Sequence, residues 1–81
     1  MVKAIIHISL KHGVLDPEGK AIQNALDNFG FKEIKEIRKG KFIEIELNEN
    51  DKSKAKDKVD EMCRKLLVNT VIENYKIEII D

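Results

Sequence analysis

The run Arg38-Lys39-Gly40-Lys41-Phe42-Ile43-Glu44-Ile45-Glu46-Leu47 decides how this chain is read. Ile43, Ile45 and Leu47 alternate with Glu44 and Glu46, so one face of an extended strand is apolar and the other charged. Lys39-Gly40 just ahead is a hairpin-turn signal, because glycine supplies the positive φ that tight turns between antiparallel strands require. A hairpin needs a strand on its other side. Residues 31–38 are the candidate, although Ile34 and Ile37 stand three apart, so a bulge intervenes or one of them faces the wrong way.

Outward from that hairpin the pattern is symmetrical. On the N-terminal side, Val2–Leu10 also alternates: Val2, Ala4, Ile6, Ile8 and Leu10 share one face, and Lys3, Ile5, His7 and Ser9 the other. A loop around Gly13 follows. Asp16-Pro17 then opens a helix, with Asp as N-cap and Pro where its missing N–H is harmless. Its apolar stripe is Ala21, Ile22, Ala25, Leu26 and Phe29, and Gly30 is placed to close it in the left-handed conformation. On the C-terminal side, residues 52–67 make a second helix with Ala55, Val59, Met62, Cys63, Leu66 and Leu67 on one face, and Asn69 is a candidate terminator. Residues 71–80 make a last strand with Tyr75, Ile77 and Ile79 inward. The expected fold is α+β, in the order β-α-β-β-α-β: one domain, 1–81, whose four-stranded antiparallel sheet carries both helices on one face in a ferredoxin-like topology.

Composition narrows the function. The chain has 81 residues, 15 Lys plus Arg against 15 Asp plus Glu, and no net charge. That disfavours a general binder of nucleic acid or anionic membrane, which relies on excess positive charge. RNA-binding modules of this strand order stack bases on aromatics of the first and third strands, and only Phe42 is present here. Residues 1–10 read as a strand and not as a signal peptide, and no apolar run reaches membrane-spanning length. A single cysteine, Cys63, permits no internal disulfide and fits a reducing cytoplasm.

No catalytic constellation emerges. Cys63 lies on the apolar stripe of its helix and reads as core. One Cys and two His cannot furnish a metal set. His7 falls on the outer sheet face and His12 in a loop, both as ordinary surface or interface residues. Asp16 at the first helix start disfavours an anion there. Lys52, Lys54, Lys56 and Lys58 spread around a solvated helix, with Asp60–Arg64 and Glu61–Lys65 at ion-pair spacing. Two features stand out. Gly19, in the first turn of a helix, reflects either local turn geometry or something approaching too closely for a side chain. The cations Arg38, Lys39 and Lys41 at the hairpin are either a solvated tip or a contact for an acidic partner.

Three blocks then line up: Gly13-Val14-Leu15-Asp16-Pro17-Glu18-Gly19-Lys20-Ala21-Ile22; Arg38-x-Gly40-Lys41 leading into Phe42-Ile43-Glu44-Ile45-Glu46-Leu47; and Met62-Cys63-x-x-Leu66-Leu67-x-Asn69-x-Val71-Ile72-Glu73-x-Tyr75. In this the chain resembles the PurS family, the small subunit of phosphoribosylformylglycinamidine synthase, over essentially its whole length. The resemblance implies a subunit of an ATP-dependent, glutamine-using ligase of purine biosynthesis that converts formylglycinamide ribonucleotide to formylglycinamidine ribonucleotide. A large subunit would use the ATP and Mg²⁺, a separate subunit would release ammonia from glutamine, and this chain, with no cofactor or catalytic site, would bridge them and help ammonia pass. It implies self-association as a homodimer or homotetramer as well. Gly13, Val14, Leu15, Asp16, Pro17 and Gly19, together with Arg38, Gly40 and Lys41, are the expected partner contacts, dispensable for core packing. Ile5, Phe42 and Ile80, opposite the main core stripe, are the expected self-association residues. The rival readings are a regulatory domain binding an amino acid in the loop after the first strand, and an acylphosphatase-like enzyme. The second lacks the phosphate-binding Arg its first loop needs.

Overall fold

The computed structural model describes residues 1–80; Asp81, with which the expected domain ends, lies outside the described residues. The elements are β1 (Val2–Leu10), α1 (Pro17–Asn28), β2 (Gly40–Leu47), α2 (Lys52–Met62) continued by one π-helical turn (Cys63–Leu67), and β3 (Glu73–Ile80). They form a three-stranded antiparallel sheet in the order β2-β1-β3.

Period-two patterning sets the register. Ala4 faces Ile45 and Ile79, and Ile6 faces Ile43 and Ile77, so the apolar residues of all three strands fall on one face. α2 lies over that face. Ala55, Val59 and Cys63 recur every four residues and are fully buried, Val59 and Cys63 in one cluster with Ala4, Ile6 and Ile8. Asp51 caps α2 by accepting from the Ser53 and Lys54 N–H groups. The π turn ends it, with Val68 N donating to Cys63 O at 3.0 Å. Tyr75 on β3 reaches across to Asp60 of α2, its hydroxyl donating at 2.5 Å.

The expected second strand is absent. Residues 31–38 form no ladder, Gly40 already pairs with Ser9, and neither Lys39 nor Gly40 has a positive φ, so no hairpin turn exists. Three local causes act together. The three-residue spacing of Ile34 and Ile37 gives no period-two face. Gln23 of α1 occupies the Ile34 and Lys35 carbonyls at 3.2 and 3.3 Å. The chain runs on at 39–40 directly into β2 without reversing. The sheet therefore has three strands and not four.

The helices do not share the sheet face either. α1 is built as the sequence predicts: Asp16 caps it, Pro17 opens it, and Gly30 (φ 101°) closes it, with Gly30 N donating to Asp27 O and Phe31 N to Leu26 O. Yet no α1 side chain joins the core, only Gly19 of the helix is buried, and Phe29 is 77% exposed. After a turn at 32–33, residues 34–39 run back antiparallel along α1, and together they make an arm standing off the sheet. The molecule measures 49 × 26 × 14 Å with a radius of gyration of 16.2 Å, against about 12 Å for a compact chain of this length.

Candidate functional site

The arm joins the sheet at one corner, where the two expected partner surfaces prove to be a single structure. β1 ends at Leu10, and Gly13 (φ 88°) turns the following loop toward α1. Asp16 then does two tasks. One carboxylate oxygen caps α1, accepting from Gly19 N at 2.9 Å, and the other accepts from Lys39 N at 2.7 Å. These N–H groups, Gly19 first and Lys39 second, hold the Asp16 carboxyl below its usual range.

Arg38 closes the corner from the other side. Its guanidinium donates to the carbonyls of Leu10 and Lys11, both at 3.0 Å, and pairs with Glu36 at 3.3 Å. One guanidinium nitrogen, Nη2, ties the two successive carbonyls while Nη1 holds Glu36. Both glycines are explained by close backbone approach. A Cβ on Gly19 would lie 2.3 Å from Ile37 O, and one on Gly40 would lie 2.6 Å from Ile8 O. Of the two readings of Gly19, the close approach is the one the geometry bears out, and what approaches is the chain's own backbone at Ile37.

The spacing Asp-Pro-x-Gly and Arg-x-Gly-Lys therefore encodes a latch. Arg38, one of the expected partner contacts, binds the chain's own backbone, with a side chain only 28% exposed. The outward part of the corner is different. Lys39 pairs with Glu18, raising the Lys39 pKa through that hydrogen bond, and Lys41 stands 3.5 Å from Glu73. Leu15 is 90% exposed. It lines, with Val14, Pro17 and Ile37, a groove of about 550 Å³ between α1 and residues 35–38.

Ile5, Phe42 and Ile80 lie on the sheet face opposite α2, with Phe42 63% and Ile80 40% exposed and Ile5 half-buried between them. His7 shares that face, 3.7 Å from Glu78 and with its ring centroid 6.3 Å from that of Phe42. His12 is exposed in the loop. Cys63 is core as expected, and burial pushes its thiol pKa up. No cluster of three or more His, Cys, Asp or Glu able to hold a metal occurs among the described residues. Among the described residues no helix is long and apolar enough to cross a membrane. Sequence reasoning missed the exposed α1 stripe, Ile22 and Phe29 above all, because an amphipathic stripe looks the same whether its cover is this chain or another.

The fold and its corner define a small α+β domain with a latched loop and an uncovered amphipathic helix. Its likenesses agree. The family model of PurS, phosphoribosylformylglycinamidine (FGAM) synthase, matches residues 3–81. Subunit PurS of that synthase from Methanocaldococcus jannaschii is 47% identical over 79 residues, 98% of this chain and 95% of the relative, and that from Bacillus subtilis is 43% identical over 79 residues, 98% and 93%. The crystal structure of M. jannaschii PurS superposes with a TM-score of 0.88 at 48% identity, over 98% of this chain and 95% of that one. A chain in the structure of PurLQS from Thermotoga maritima superposes at 0.85 and 30% identity, over 99% of each. The chain belongs to the PurS family and is a subunit of phosphoribosylformylglycinamidine synthase, an enzyme of purine biosynthesis.

Proposed function

We infer that this chain is the non-catalytic bridging subunit of the synthase, joining the ATP-dependent large subunit to the glutaminase and helping ammonia pass between them. The full-length likeness to a chain found within PurLQS carries the reading. The chemistry fits it. Ammonia free in neutral water is mostly protonated and no longer nucleophilic, so a closed route between two active sites preserves it. Holding two sites in register needs a rigid surface and no triad. The latched corner is such a surface. Its inner hydrogen bonds fix the backbone of Leu10, Lys11 and Lys39, and its outer side presents Leu15, Glu18, Lys39 and Lys41 to a partner. ATP and Mg²⁺ are handled by the large subunit in the cytoplasm, and this chain needs no cofactor. It self-associates as a dimer or tetramer, with the sheet face around Ile5, Phe42 and Ile80 as one contact.

The test is reconstitution of the synthase with and without this chain, supplied with either glutamine or an ammonium salt. Glutamine-driven synthesis should require the chain, and ammonium-driven synthesis should require it far less. The chain alone should show neither ATPase nor glutaminase activity. Full glutamine-driven synthesis in its absence would overturn the reading.

A further inference from the structure

Beyond Ile6, the last rows on the core face of the sheet are Lys41–Ile8–Tyr75 and Leu10–Glu73. Two charged side chains, Lys41 and Glu73, therefore stand at positions that period two assigns to the apolar face. Glu73 is the less ordinary of the two. Its side chain is only 15% exposed. One oxygen, Oε1, accepts from Asn69 N at 2.8 Å. The other, Oε2, meets only the Lys41 ammonium among the described residues, at 3.5 Å. That is an ion-pair distance and not a charge-assisted hydrogen bond. A carboxylate largely withdrawn from water is costly unless both of its oxygens find donors.

Glu73 and Lys41 line a pocket of about 310 Å³ beside the first turn of α1. Its volume falls at the small end of the ~300–1,000 Å³ of small-molecule sites. Ile8, Leu10 and Pro17 give it an apolar lining, and a second ion pair, Lys39–Glu18, completes it. The two pairs differ. Lys39 donates to Glu18 in a short hydrogen bond, and Lys41 and Glu73 are loosely matched. The loose pair suits a zwitterion: an α-carboxylate accepts from Lys41, and an α-ammonium gives Glu73 Oε2 the donor it lacks. The tight pair suits a neutral carboxamide, whose carbonyl accepts from Lys39 and whose NH₂ donates to Glu18 without displacing either charge. The apolar lining takes the methylenes between. We propose that this pocket binds a free α-amino acid with a carboxamide side chain, held by its α-groups at Glu73 and Lys41. The site lies within one chain and is tested without the other subunits, so it stands or falls separately from the bridging reading.

L-glutamine is the probe, titrated into the chain with amide resonances and calorimetry as readouts. Binding should saturate, with a dissociation constant of about a millimolar or tighter, and the shifts should centre on Leu10, Glu18, Lys41 and Glu73. N-acetyl-L-glutamine lacks the ammonium and L-glutaminamide the α-carboxylate, and each should bind at least about tenfold more weakly. L-norleucine keeps both α-groups and loses the carboxamide, and should bind about threefold more weakly. Glu73→Gln still offers an oxygen to Asn69 N but carries no charge. It should weaken L-glutamine about tenfold and leave N-acetyl-L-glutamine unchanged, a pattern that a loosened fold does not give. Should E73Q fail to fold by circular dichroism, Lys41→Met, at a side chain 59% exposed, makes the same comparison with L-glutaminamide. Equal affinity for L-glutamine and N-acetyl-L-glutamine, shifts confined to another face, or no saturation at the solubility limit of glutamine overturns the proposal.

Discussion

The sheet with α2 and the arm of α1 with residues 32–39 are built from similar sequence and reach opposite ends. Both hold a helix whose apolar residues fall at the right period. In the first, Ala4, Ile6, Val59 and Cys63 are fully buried. In the second, a capped and well-terminated helix keeps Phe29 at 77% exposure. Local signals are satisfied equally in both, so local signals do not decide burial. What decides it is whether the chain reverses at residues 39–40. It does not, because Asp16, Arg38 and two glycines lock the corner open. The difference teaches that the most informative residues here are neither core nor free surface. They are the few that fix one region's orientation toward the other.

The largest effect should come from the region that has a core. Val59→Asp places a carboxylate among Ala4, Ile6 and Ile8 with no partner, and should destabilise by at least about 3 kcal/mol. That consumes much of the stability of so small a domain. Thermal unfolding by circular dichroism would read it. If the contrast between regions is right, Ile22→Asp on the arm should move the melting transition of the isolated single chain very little, by less than about 0.5 kcal/mol.

Next comes the junction. Gly19→Ala forces a methyl to within 2.3 Å of the Ile37 carbonyl. Neither the helix backbone nor the arm strand can yield cheaply, so a loss of about 1–3 kcal/mol is expected. Alanine would stabilise an ordinary exposed helix site by roughly 0.5–1 kcal/mol. The sign of the change in denaturant midpoint therefore distinguishes a latch from a plain turn. A stabilised Gly19→Ala protein would break the comparison.

A smaller effect separates the latch from the surface it presents. Lys41 has a side chain 59% exposed, so Lys41→Glu should leave stability within about 0.5 kcal/mol. Capture of the large and glutaminase subunits should nonetheless weaken about tenfold, roughly 1.4 kcal/mol, and the loss should shrink as salt rises. Arg38→Glu is not an equivalent test, because it also removes the bonds to Leu10 and Lys11. Undiminished capture by the Lys41→Glu protein would leave the rim a solvated turn.

Most of the body was legible in the sequence. Alternation placed β1, β2 and β3, and the four-residue recurrence of Ala55, Val59 and Cys63 placed α2 on the sheet. Asp16-Pro17 and Gly30 bounded α1 to within a residue or two. The fourth strand was misread because Lys39-Gly40 has the composition of a turn, and composition does not reveal that Gly40 is needed against Ile8 O at an ordinary negative φ. The corner was seen as two surfaces because its bonds join residues 23–28 positions apart, Asp16 to Lys39 and Arg38 to Leu10 and Lys11. Such bonds leave no periodic trace. What could have signalled them is Gly19: a glycine in the first turn of a well-capped helix marks a neighbour too close for a side chain.

The finest test of the corner is its response to acid. Asp16 accepts from Gly19 N and Lys39 N, and both bonds favour the charged carboxylate, lowering its pKa from the ordinary 3.8. A carboxyl with a lower pKa folded than unfolded binds fewer protons in the native state. Its contribution is complete above the unfolded value and lost as pH falls through the folded one. The corner should therefore be insensitive to pH near neutrality and loosen below about pH 4. The Gly19 and Lys39 amide resonances should move together on acidification, with an apparent midpoint below that of an exposed Asp, while the Ile6 and Val59 amides of the body stay fixed over the same range. In Asp16→Asn the side chain still offers an oxygen to Gly19 but carries no charge and titrates no proton. Its corner resonances should be flat with pH, and the arm should exchange its amides faster at neutral pH than in the native protein. If the Lys39 amide of Asp16→Asn still moves with the native midpoint, another group controls the corner, and the link from Asp16 to the arm is not the one that holds the two regions in place.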